Sequence, residues 1–274
     1  MVSNISPFQW VDIDGHKFCI KRDDLISNIV TGNKARKLQY FLDNDFQHIQ
    51  TIVSWGGSQS NFMLALAKLA LHKKWDFHYY VKNLSKQLKQ NPSGNYKQSL
   101  DFNMQVLELS SQNFTENYIR ELYSNNLNNI YFFQQGGKQK EAELGLKQLA
   151  DEIKQYTGIE GIKDYSVFIP SGTGASAYYL QKHLNSIDVY TVPCIGSEKY
   201  LTEQIDSIRD KSTKLPTIIT SPLKYTFAKP HKDLIGQYRI LLEQANIEFD
   251  LLYDPVGWIS LLHNVNEIKK PIIF

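Results

Sequence analysis

Strand-sized apolar runs alternate with helix-periodic segments along nearly all of this 274-residue chain. The runs fall at 51–55, 77–81, 104–109, 130–133, 165–169, 188–192, 217–219 and 249–252. They are short, rich in β-branched and aromatic residues, and bounded by Gly, Pro or polar residues, as buried strands are. Between them, apolar residues recur every three or four positions; Met63, Leu64, Leu66, Ala67 and Leu71 give one helix a broad apolar face. Helices are likewise expected over 95–102 and 115–124, and from Gly136-Gly137 onward, where Leu144, Leu146, Leu149, Ile153 and Tyr156 lie on or near one face. Others should run through Leu184, over 198–208 and 233–245, and from about 258, while residues 1–25 read as a β-rich lead-in. This alternation predicts an α/β protein whose parallel sheets are flanked by helices. Such folds hold ligands beyond the carboxyl ends of their strands, and two glycine breaks, at 56–57 and 172–174, fall there.

Charge and composition narrow the function. A net charge of +2, with Lys and Arg scattered, excludes a dedicated nucleic-acid surface. The best apolar stretch, 62–71, is broken by Lys68 and too short to span a bilayer. Residues 1–10 carry no basic segment followed by an apolar run, so a cytoplasmic, reducing setting is expected. Cys19 and Cys194 form no metal-type pair, and Cys19, alternating with apolar residues, reads as a buried free thiol. The seven histidines are dispersed, which leaves metal chemistry without support.

Three stretches carry chemistry. Gly32-Asn33-Lys34-Ala35-Arg36-Lys37-Leu38 opens a helix with three cations in four residues. Cations oppose the positive end of a helix dipole, so either an anion sits there or one lysine is not a cation. A solvated basic face is the plain alternative. Ser171-Gly172-Thr173-Gly174-Ala175-Ser176 lies between a strand and a helix. Its freed amides and three hydroxyls can cradle a phosphate, although strand-Gly-helix turns also serve as simple turns. It lacks the Gly-Lys-Ser/Thr of a nucleoside-triphosphate loop. Gly56-Gly57-Ser58-Gln59-Ser60-Asn61 lies at another strand-to-helix junction, where Ser58 or Ser60 could act only as an N-cap.

Taken in order, Lys21-Arg22-Asp23-Asp24-Leu25, the 32–38 stretch, the 56–61 stretch, Gln135-Gly136-Gly137 with Glu141 and Gly145, the 171–176 loop and Asp254-Pro255-Val256 resemble the pyridoxal-phosphate enzymes grouped with 1-aminocyclopropane-1-carboxylate deaminase and D-cysteine desulfhydrase. The resemblance covers most of the chain. It implies the two-domain tryptophan-synthase-β-like fold (fold type II), with a large cofactor-binding domain at 1–42 and 147–274 and a small domain at 43–146. It implies that Lys34 carries pyridoxal 5'-phosphate, with Lys37 the nearby competitor. It makes Asn61 the contact to the ring oxygen, Ser60 a catalytic residue on the substrate side, and Ser171, Gly172, Thr173, Gly174, Ala175 and Ser176 the phosphate cup. The activity implied is a lyase or deaminase acting on a small amino acid, and the assembly a homodimer. The 135–145 stretch reads as structural.

The chain departs from that pattern at three places. Phe62 stands where the family has a polar residue. Gly257 and Trp258 stand where it has a tyrosine and then a polar or acidic residue. Ser260, Tyr253 and Tyr225 are the sequence's candidates for the missing groups. A non-catalytic cofactor-binding protein on the same scaffold is therefore the alternative. A phosphosugar- or nucleotide-binding α/β protein, with the 34–37 cluster neutralising phosphate, is a third reading.

Overall fold

The computed structural model describes residues 5–124 and 127–274. The first four residues of the expected β-rich lead-in lie outside the described residues. The chain divides into two compact units. One is continuous, Ser27–Gly145; the other is split, joining Met1–Ile26 to Leu146–Phe274.

The continuous unit is built on a four-stranded sheet of order β5-β4-β3-β6. Its strands are β3 (Thr51–Trp55), β4 (Asp76–Lys82), β5 (Met104–Leu109) and β6 (Ile130–Phe132), all parallel. Helices α1 (Gly32–Asp43), α2 (Asn61–Lys73), α3 (Lys86–Gln90), α4 (Gly94–Asp101) and α5 (Glu116–Glu121) accompany it. Ile52 and Val53 at the centre of β3 are fully buried, which explains why that run carries no polar alternation. Phe41 of α1 packs edge-on against Phe133 and Tyr131, at 4.7 and 4.8 Å between centroids.

The split unit holds a six-stranded sheet of order β1-β2-β10-β7-β8-β9. Strands β1 (Phe8–Ile13) and β2 (His16–Lys21) form an antiparallel hairpin, and Asp14 and Gly15 turn it with φ of 49° and 77°. Strand β10 (Ile272–Ile273) then runs parallel to both β2 and β7 (Ser166–Ser171). Beyond lie β8 (Asp188–Pro193) and β9 (Thr217–Ile218), also parallel. Helices α7 (Ala175–His183), α8 (Glu198–Asp206), α9 (Lys232–Ala245) and α10 (Asp254–Asn264) complete it, and the unit boundary falls inside α6 (Ala142–Ile159).

The alternation expected from sequence is thus present, with local differences. Helix α6 starts at Ala142 because Gly136 and Gly137, at φ 72° and 69°, are left-handed and outside any α-helix. Leu144, assigned to its apolar face, is 54% exposed. Residues 249–252 form no strand: Asp250 Oδ1 accepts from the amides of Leu252 and Tyr253, at 2.9 and 2.7 Å, and bends the chain into α10. That helix begins at Asp254, with Pro255 in its first turn, instead of near 258. Helix α1, grouped by sequence with the flanking segments, packs within the continuous unit, and the first boundary follows Ile26 instead of Leu42.

The Lys21–Asp24 stretch proves to be structural. Lys21 Nζ pairs with Glu152 at 2.7 Å, both nearly fully buried. Ser6 Oγ donates to Asp23 Oδ1 at 2.5 Å, and Arg22 forks onto both Asp24 oxygens. Cys19 and Cys194 are both buried thiols, and burial pushes the Cys19 thiol up to about 11. Among the described residues, no helix is long and apolar enough to cross a membrane, and no cluster of three or more His, Cys, Asp and Glu could hold a metal.

Candidate active site

In the continuous unit, the loop after β2 ends at Thr31, which precedes α1 without capping it. The first-turn amides of α1 therefore lack the side-chain oxygen that helix starts usually recruit. Lys34 sits on this turn, half-buried, with Nζ donating to Asn33 Oδ1 at 2.7 Å. Arg36 and Lys37, one turn inward, are both buried. The basic-face reading of this cluster fails for those two residues: neither is solvated.

Lys37 is the unusual one. Its Nζ donates to the Gly136 carbonyl at 2.8 Å, and its stem lies against Gly137. Burial, and then repulsion from Lys34 and Lys138, hold its ammonium well below the ordinary 10.5. Unfolded, Lys37 stays protonated up to that ordinary value; folded, it gives up its proton earlier. Between the two values the unfolded chain binds more protons, so raising the pH through that window stabilises the fold. We expect Lys37→Met to remove this rise. Denaturant midpoints of both proteins across alkaline pH measure it, and parallel profiles would mean that folded Lys37 keeps its proton.

Ser60 is the N-cap of α2, with Oγ accepting from the amides of Phe62 and Met63 at 3.2 and 3.3 Å. Tyr79, fully buried on β4, reaches this junction by donating to the Gly57 carbonyl at 3.2 Å. Burial raises its phenol far above the ordinary range. Asn61 Oδ1 accepts from Asn95 Nδ2 at 2.5 Å, and Asn95 is fixed in turn by Gln59 through its backbone amide at 3.0 Å. Sequence reasoning missed Asn95. Its signal was the polar 91–95 stretch, where Gly94 leaves room for the Gln59 side chain. Phe62 is 3% exposed and lies edge-on to Phe133, so this departure from the family pattern fills core. Ser60→Ala should cost about 1 kcal/mol through the lost cap. If Ser60 also reacts, activity well below the melting temperature falls far more than that destabilisation accounts for.

In the split unit, β7 ends at Ser171 and α7 starts at Ala175. Gly174 makes the turn at φ 73°, where a Cβ would stand 2.5 Å from Ile205 of α8. As N-cap it contributes no side chain, so the first amides of α7 point into the loop uncapped. Ser171, Thr173 and Ser176 are all buried. Thr191 Oγ1 donates to Ser171 Oγ at 2.7 Å, whereas Ser176 Oγ has no hydrogen-bond partner. A buried, orphaned hydroxyl beside uncapped helix amides is the donor set an anion satisfies. Residues 171–176 therefore fit a phosphate group.

The departures near 257 also have structural explanations. A Cβ at Gly257 would meet Pro170 Cβ and Cγ at 3.0 and 3.1 Å, so α10 lies directly on β7 there. Trp258 is fully buried, edge-on to Phe18 at 4.8 Å and stacked on Phe274 at 4.6 Å. Ser260 Oγ donates to the Val256 carbonyl within its own helix, and Tyr225 Oη donates to the Pro193 carbonyl. Tyr253 lies beside the loop: its Oη is 3.1 Å from where a Cβ at Gly172 would stand.

No family model matches the sequence. A curated protein of Thermotoga maritima, named provisionally as a 1-aminocyclopropane-1-carboxylate deaminase, is 22% identical over 188 residues. The match takes in 66% of this chain and 58% of that protein, so the chain spans somewhat over half of the relative's length. Among solved structures, an ACC deaminase homologue superposes over 100% of this chain and 89% of its own at 19% identity, with a TM-score of 0.78. A hydrogen sulfide-producing enzyme from Fusobacterium nucleatum covers 99% of this chain and 94% of its own at 14% identity, with a TM-score of 0.65. A T.th. threonine deaminase covers 98% and 90% at 11%, with a TM-score of 0.68. The chain thus has the tryptophan-synthase-β-like fold, fold type II of the pyridoxal-phosphate enzymes, and within that fold it resembles the 1-aminocyclopropane-1-carboxylate deaminases.

Proposed function

We propose that this protein is a pyridoxal-phosphate-dependent lyase or deaminase acting on a small amino acid, of the kind exemplified by 1-aminocyclopropane-1-carboxylate deaminase and D-cysteine desulfhydrase. The observation that carries the reading is the 171–176 loop, where a buried Ser176 hydroxyl without a partner joins uncapped amides of α7. Lys34 would hold the cofactor through its amine. Residues 171–176 would take the phosphate, and Asn61, braced by Asn95, the ring oxygen. When bound, pyridoxal phosphate supplies an electron sink for charge developing at the substrate's α-carbon. The Lys34 amine, when not engaged with the cofactor, would be the base that moves the carbon-bound proton. Ser60 is the second candidate for that work, and its cap bonds hold its oxygen in place.

The test is the visible spectrum of the purified protein with added pyridoxal phosphate, then borohydride reduction and peptide mapping. A yellow protein fixed at Lys34 is the expected result. A colourless protein that refuses the cofactor would falsify the reading and leave 171–176 as the anion site of a phosphosugar- or nucleotide-binding protein. A second reading keeps the cofactor and drops the turnover: a non-catalytic or regulatory protein on this scaffold. The packing of Gly257 on Pro170 and of Trp258 in the core favours it, because neither position then offers a hydroxyl or carboxyl group. Assays with D-cysteine, 1-aminocyclopropane-1-carboxylate and serine-like amino acids separate the two readings. The small-amino-acid substrate, the cytoplasmic setting and the homodimer belong to the same proposal.

A further inference from the structure

Tyr253 is held from several sides within the split unit. Its amide donates to Asp250 Oδ1 at 2.7 Å, its carbonyl takes the Cys194 thiol at 3.7 Å, and its ring meets Phe227 edge-on at 5.4 Å. So anchored, the ring edge lies over Gly172, where a Cβ would stand 3.1 Å from Oη, 3.2 Å from Cε1 and 3.3 Å from Ile195 Cδ1. The phenol and the bare glycine therefore fit one another: a Cβ at 172 would press the hydroxyl back by a few tenths of an ångström. The loop it covers contains the buried, unpartnered Ser176 oxygen and the uncapped start of α7.

We propose that Tyr253 Oη is a further donor of this anion site and hydrogen-bonds the phosphate bound at 171–176. The inference rests on the cofactor reading above for the identity of the phosphate, but not for its chemistry. A phenol donating to a dianion gives a charge-assisted bond, while its ring shields that bond from water. Position 172 then acts as a steric gauge that sets where the hydroxyl stands.

Tyr253→Phe keeps the ring and its packing on Phe227 and removes only the donor. Expected are a loss of about tenfold or more in affinity for pyridoxal phosphate, the scale of one hydrogen bond to a charged group, and no change for pyridoxal, which lacks the phosphate. Gly172→Ala should weaken pyridoxal phosphate too, and weaken it less in the Tyr253→Phe background, because the oxygen it crowds is gone. Equal affinity of the wild-type and Tyr253→Phe proteins for pyridoxal phosphate overturns the proposal. So does an equal loss for pyridoxal, which would put the hydroxyl at the ring. If the wild-type protein binds neither compound, the cofactor reading fails on its own. Inorganic phosphate, followed by phosphorus NMR in both proteins, then decides the role of Tyr253: weaker binding to the variant upholds it and equal binding ends it.

Discussion

Lys34→Ala is expected to leave a folded protein that is no longer labelled by borohydride in the presence of pyridoxal phosphate and has no measurable turnover of D-cysteine or 1-aminocyclopropane-1-carboxylate. The side chain is half-buried on the first turn of α1, so its removal opens no sealed cavity. The chemical loss is much larger. On the proposed role, a positioned base alone contributes about 10²–10⁴-fold, and the covalent anchor would be lost with it. Lys37 stands one turn away and tests the assignment. Its amine is buried and already bonded to the Gly136 carbonyl, so it would have to break that bond and leave the core to take over. Mapping the reduced peptide of the wild-type protein decides between them. A label on Lys37 would reverse the two roles, and a Lys34→Ala protein with undiminished turnover would remove Lys34 from the mechanism altogether.

The largest effect on stability should come from Gly145→Ala, at a position that looks innocuous. The substitution adds one methyl group in a helix, which by propensity alone would gain about 1 kcal/mol. In this fold a Cβ there would overlap the Arg36 carbonyl oxygen and stand 2.8 Å from its carbon. Both atoms are backbone of α1, so no side-chain rotation relieves the overlap. The helices must part, and overpacking of this kind costs about 3 kcal/mol or more. The net prediction is a destabilisation of roughly 2 kcal/mol or more after that propensity gain is offset, read as a fall in denaturant midpoint. Because Arg36 lies two residues from Lys34, the same substitution should also weaken cofactor binding. An unchanged midpoint would mean that α1 and the start of α6 do not approach as closely as described.

Much of this was legible in the sequence because parallel, two-sided burial leaves a plain trace. Runs such as Thr51–Trp55 and Phe77–Val81 are strand-length and free of acids and lysines, and both fall in strands. What escaped were features set by single contacts. Asp250 uses its side chain on local amides, so an apolar run that looks like a strand becomes a bend. Strand β10 is two residues long and follows lysines and a proline, too short for any period to show, and only its neighbours make it a strand. Among the candidate residues, Lys34, Ser60, Asn61 and the 171–176 loop stood out through glycines and polar residues at strand ends. That Lys37 is buried, that Asn95 braces Asn61 and that Tyr253 covers Gly172 depend on distant segments meeting. No local pattern encodes such meetings.

The place of β10 has a consequence in time. Ile272 and Ile273 bridge β2 and β7, so residues 16–21 and 166–171 have no shared neighbour until the ribosome has made residue 273. The continuous stretch 27–145, by contrast, holds all four strands of its own sheet and can close it while synthesis is still under way. During that interval the hairpin at 8–21 waits with an open edge for a partner far along the chain, the kind of non-local pairing that makes folding slow. A nascent chain halted before that point would therefore expose a strand edge ready to join a neighbouring chain instead, and this waiting period is when the protein most needs chaperones.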